Sequence, residues 1–88
     1  MASSHTFSIS DREGFERRLN LSGFVNSNSK VFVSACELGV FGGQVKPFQG
    51  AASIAVDNVV PHDDGIVIVR GYIGWETDIN VRLSVFVA

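Results

Sequence analysis

The sequence predicts an all-β fold, a small antiparallel β-sandwich of about six strands, and three observations carry that prediction. The last segment alternates: Ile79, Val81, Leu83, Val85 and Val87 fall on one side, and Asn80, Arg82, Ser84 and Phe86 on the other. A period of two places the first set on one face of a sheet. Further short runs rich in Val and Ile lie upstream, separated by clusters of Gly, Pro, Asn and Asp. Sustained helical periodicity is missing throughout.

Taken in order, residues 1–10 read as an N-terminal arm or edge strand, because Phe7 and Ile9 alternate with Ser8 and Ser10. Residues 11–88 then form the single sandwich domain. Ser10 to Leu19 divides evenly between one helical turn and irregular loop. Ser10 and Glu13 have capping-box spacing and Phe15 and Leu19 are four apart, but Gly14 weakens a helix by about 1 kcal/mol. Leu19, Leu21 and Phe24 read as a strand entering the core, and Asn26 to Ser29 as a turn.

Lys30 to Leu38 is the central strand, with Val31, Val33 and Ala35 on one face and Phe32, Ser34 and Cys36 on the other. Gly39 to Gly50 holds four glycines and Pro47 and reads as a long connection. Ala51 to Val60 is a strand with Ile54 and Val56 inward. Pro61 to Gly65 is a turn, with Gly65 free to take positive φ at its exit. Gly65 to Ala88 reads as a closing hairpin whose two strands join at Trp75-Glu76-Thr77-Asp78.

Composition sets outer bounds. A chain of 88 residues has room for one core and buries roughly 60–65% of its unfolded surface. Its apolar fraction of 45% and mean hydropathy of +0.23 exceed what so small a core holds, which favours a homo-oligomer. The net charge of -2, with Lys and Arg scattered, argues against nucleic acid as a partner. The single cysteine, Cys36, excludes an intramolecular disulfide and reads as a buried small hydrophobe. The first residues lack the layout of a signal peptide, and no apolar run is long enough to insert in a membrane, so the chain reads as soluble with its compartment unspecified.

The chemistry-bearing residues do not assemble into a catalytic pattern. His5 and His62 are the two imidazoles, and Cys36 lies mid-strand without an activating neighbour, so no catalytic residue is assigned. His62-Asp63-Asp64 offers two adjacent carboxylates in a turn, too few for calcium, and reads as local capping; no metal or cofactor is implied. Asp11, Glu13 and Glu16 beside Arg12, Arg17 and Arg18 read as a solvated face, with contact to a polar ligand as the second reading. Trp75, with Tyr72 three positions before it, reads either as a half-buried core aromatic or as a platform for a sugar.

The order strand, Gly65, strand, Trp75-x-Thr77, alternating strand resembles the H-type lectin domain family of the snail agglutinins and discoidins. Leu21-Ser22-Gly23-Phe24 followed by Val31 to Ser34 is similar to that family's approach to its central strand, and the likeness spans about residues 19–88. The resemblance implies a six-stranded sandwich assembled as a trimer or pair of trimers. It also implies non-catalytic recognition of galactose or N-acetylgalactosamine near subunit interfaces.

Carried over residue by residue, Trp75 matches the family's tryptophan. Glu76 stands where a sugar-binding agglutinin has histidine, and a place near Ser53 stands for its arginine. Asp11 or Glu13 corresponds to its acidic residue, and about Val81 to its downstream aromatic. The expected carbohydrate-binding residues are therefore Trp75, Glu76, Ser53, Asp11 and Glu13. The alternative function is a structural self-assembly or interaction subunit without a small ligand.

Overall fold

The structure is a computed structural model, described here over residues 2–88. Seven strands build two antiparallel sheets: β1 (Ser3–Asp11), β2 (Glu13–Asn20), β3 (Val31–Phe41), β4 (Gln44–Pro47), β5 (Ser53–Pro61), β6 (Ile66–Gly74) and β7 (Ile79–Val87). One sheet has the order β1-β7-β3-β4 and the other β2-β6-β5. All pairings are antiparallel.

Two central strands supply most of the core. Val67, Val69 and Ile73 of β6 and Val81, Leu83 and Val85 of β7 are shut off from solvent. Their alternation is the physical reason: each strand sends every second side chain between the sheets and the others outward. Phe15, Leu19, Leu21 and Val25 close the core, and among the described residues no polar or charged residue is fully buried. Val31, Val33 and Ala35 line the inward face of β3, and Ile54 and Val56 that of β5, as the sequence predicts. β1 is an edge strand, paired with β7 from Ser3 to Asp11.

Five features differ from the sequence reading, each for a physical reason. Residues 13–20 are neither helix nor loop but the strand β2, paired along its length with β6. A spacing of four, Phe15 to Leu19, is a multiple of two as well as near one helical turn, so it fits both periods. Tertiary pairing decides the case, with Phe15 opposite Gly71 and Leu19 opposite Val67. Next, Gly39 to Gly50 is not simply a connection. β3 continues to Phe41, turns through Gly42 and Gly43, both at positive φ, and returns as β4. Two central residues at positive φ are what a tight hairpin requires. This turn supplies the seventh strand.

Phe24 is 57% exposed and does not enter the core; its ring packs edge-on against His5 at 4.6 Å, while Leu21 and Val25 take the buried positions. Moreover, β6 and β7 are not a hairpin. They lie in different sheets, so residues 75–78 are a corner that carries the chain across the sandwich. The true hairpin joins β5 to β6 at the opposite end of β6, with the His62 N–H donating to the Ile66 carbonyl at 3.0 Å and Gly65 at φ +84°. Cys36, expected to be buried, is instead half-buried, because its place in the alternation of β3 puts it on the outward face, paired with Arg82 on β7.

Candidate functional site

The inter-sheet corner gathers the chemistry. β6 ends at Gly74, and the Trp75 N–H folds back to the Ile73 carbonyl at 2.9 Å, a tight turn that swings the indole off the sheet. Trp75 is 43% exposed and Tyr72 50%. Beside them, Glu13 opens β2 opposite Ile73. Glu13, Tyr72, Gly74, Trp75, Glu76 and Thr77 line one open hollow of about 540 Å³. That volume is within the range of small-ligand pockets, roughly 300–1,000 Å³.

Two details set this corner apart. Among the described residues Glu13 is the one non-glycine residue with positive φ, at 54°. That conformation disfavours a side chain with a Cβ, and such strain concentrates at functional sites. The corner is also fastened. The Arg12 guanidinium donates to the Glu76 carbonyl at 3.4 Å and faces the Asp78 carboxylate at 3.5 Å. The lining then presents two aromatic rings, two carboxylates and the hydroxyls of Tyr72 and Thr77, with no cationic side chain.

The sequence-predicted site residues divide three ways. Trp75, Glu76 and Glu13 come together in the hollow. Ser53 lies on the neighbouring strand β5, paired with Gly74 but outside the lining. Asp11 is occupied elsewhere. Its Oδ1 accepts the Arg12 N–H at 2.8 Å and its Oδ2 meets Arg17 at 2.9 Å. The Arg12 amide first, and the Arg17 guanidinium after it, hold the Asp11 carboxyl below the usual carboxylate range. Tyr72 and Thr77 are lining residues that the sequence reading left out of the site, and Arg12 is the brace it missed. Tyr72 was findable, since it shares the outward face of β6 with Gly74.

The lowered Asp11 pKa gives a signed expectation. A carboxyl whose folded pKa lies below its unfolded one stabilises the fold above the unfolded value. That contribution is lost as pH falls through the folded value. Asp11→Asn should therefore melt a few degrees lower at neutral pH, about 0.5–1 kcal/mol for a partly exposed pair. The gap to wild type should close in acid. Thermal melts across the pH range check this, and a gap that persists unchanged in acid contradicts it.

Elsewhere, Asp63 Oδ1 accepts the Ser27 N–H and Asp64 Oδ1 the Ile66 N–H, both at 2.9 Å. The Ser27 hydroxyl and amide hold the Asp63 carboxyl below its ordinary range. These carboxylates are used as backbone caps. Among the described residues no group of three or more His, Cys, Asp or Glu side chains could hold a metal ion, and no helix is long and apolar enough to cross a membrane. In comparisons with known proteins, no family model matches the chain, and neither a curated protein nor a solved structure matches it significantly.

Proposed function

We propose that the protein is a non-catalytic, oligomeric carbohydrate-binding module whose sugar site is the hollow at Trp75. The observation that carries this reading is the pairing of exposed rings, Trp75 and Tyr72, with the carboxylates of Glu13 and Glu76 in one open hollow. A pyranose has an apolar C–H face that packs on an indole and hydroxyls that donate to carboxylates. With two carboxylates and no cation in the lining, the hollow favours neutral sugars over anionic ones. Galactose and N-acetylgalactosamine are the first ligands to test, on the resemblance of the Trp75-x-Thr77 corner to the H-type lectins.

Assembly is supported by the outward face of the four-stranded sheet. Phe32 and Phe86 pair there at 61% and 46% exposure, with Val40 and Val45 exposed beyond them. Ser4, Thr6, Ser8, Ser10, Ser34, Cys36, Leu38, Asn80 and Ser84 lie on the same face, and Arg82 is the one charge on its β1-β7-β3 ladder. Exposed aromatic rings beside a single arginine are features this face shares with interface cores, and a second copy of this chain is the occupant proposed.

This same face favours the second reading, a self-assembling structural subunit without a ligand. A glycan array with the intact protein separates the two. The lectin reading expects bound galactosides and their loss in Trp75→Ala, at least tenfold in affinity. An array without binders leaves the structural subunit.

A further inference from the structure

A second hollow lies on the other face of β5 from the Trp75 corner, and nothing at that corner accounts for it. It opens between β3 and the segment running from β4 into β5, has a volume of about 440 Å³, and is walled by Ala35, Pro47, Phe48, Ala52 and Ile54. Its one charged lining group is Glu37. Glu37 occupies an inward position of β3, opposite Val81, where its neighbours on the same face are apolar.

Its Oε1 is closed off from solvent and has no hydrogen-bond donor among the described residues. Neither ion pair among those residues involves it. A carboxylate oxygen in such a place is costly unless a donor meets it, more so than a neutral polar group.

The chain around this carboxylate is built to approach it. The Phe48 N–H donates to the Glu37 carbonyl at 2.9 Å, which ties the segment after β4 to β3. Gly50 runs so close that an added Cβ would stand 2.5 Å from Glu37 Oε1 and 2.8 Å from Phe48 Cε1. The Phe48 ring is held by Phe41, with centroids 5.6 Å apart. A solvent-shielded carboxylate oxygen and a part-exposed aromatic ring therefore line one hollow.

We propose that this hollow is a binding site for a small primary alkylammonium ion. The ammonium has three N–H donors and a full positive charge, and so completes the Glu37 carboxylate. The Phe48 ring attracts the same cation. The alkyl chain packs on Pro47 and Ile54. The site stands apart from the Trp75 hollow, with which it shares no lining residue.

The test is an amide chemical-shift titration of the full chain with n-butylammonium chloride, beside n-butanol and sodium chloride. Saturable shifts are expected at Glu37, Phe48 and Gly50 with butylammonium alone, half-saturating in the millimolar range typical of a ligand of this size, on the order of 1–10 mM. Glu37→Gln keeps the side-chain volume and should weaken binding at least tenfold, with the Trp75 amides unmoved. The proposal is overturned if butylammonium gives no saturable shift, or if butanol reproduces it. Equal binding by a folded Glu37→Gln variant also overturns it. Should that variant not fold, the wild-type comparison of butylammonium with butanol decides alone.

Discussion

Replacing Leu83 with aspartate is expected to leave no folded protein. Leu83 is fully buried at the middle of β7, with Phe7 on one side and Ala35 on the other. The whole domain holds roughly 5–10 kcal/mol of stability. Losing a core leucine costs about 3–5 kcal/mol through transfer and cavity alone. An unpaired charge in its place raises the cost beyond the total, since no cationic partner is within the core. Circular dichroism should show no cooperative melt.

The neighbouring change, Ser84→Asp, gives the control. Ser84 points outward between Thr6 and Ser34, so this variant should fold. On the assembly reading it should fold as a smaller species, because it places a charge on the proposed interface. A folded Leu83→Asp together with an unfolded Ser84→Asp would mean that the register of β7 is off by one residue.

Gly71→Ala is the second large effect. Gly71 sits in β6 opposite Phe15 and Val56, next to the β-bulge that follows Val56. A Cβ there would stand 2.3 Å from the Ala55 carbonyl oxygen and 2.6 Å from Phe15 Cζ. The first of these is backbone, so relief requires β5 to move away from β6. Overpacking of this kind costs about 3 kcal/mol, and some of it is offset by the lower chain entropy of alanine when unfolded. A melting temperature lower by about 10–20 °C is expected for a domain this small. An unchanged melt would contradict the pairing of β5, β6 and β2 around this position. Phe15→Leu, which shortens the ring that Gly71 faces, should recover part of the loss in Gly71→Ala.

These cases show why some of the fold can be read directly and some cannot. β7 is legible because one face is buried and the other is not, which writes a clean alternation into Ile79 to Val87. β2 is not legible, because Phe15 and Leu19 satisfy two periods at once and only their pairing with β6 chooses between them. The β3–β4 turn carried a signal that the run of glycines hid: Gly42-Gly43 lies between Val40-Phe41 and Gln44-Val45, a two-residue hairpin pattern. The crossing at Trp75 to Asp78 left no local mark, since a strand pair joined by four residues looks the same whether it stays in one sheet or changes sheets.

The site followed the same division. Trp75 and Glu76 adjoin in sequence and needed no fold to bring them together. Glu13 reaches them only because β2 begins opposite the end of β6, a long-range pairing. Asp11 stands two residues earlier, but it ends β1 in the other sheet, and its carboxylate pairs with Arg17 outside the hollow.

The central claim is that the hollow at the inter-sheet corner binds a neutral sugar on Trp75. Trp75 is the single tryptophan of the chain, so its fluorescence reports on that corner alone. Titrating the intact protein with galactose and N-acetylgalactosamine should give a saturable change in emission at millimolar sugar, while an anionic sugar gives none. Emission that stays flat for every neutral sugar, to the highest soluble concentration, would contradict the account.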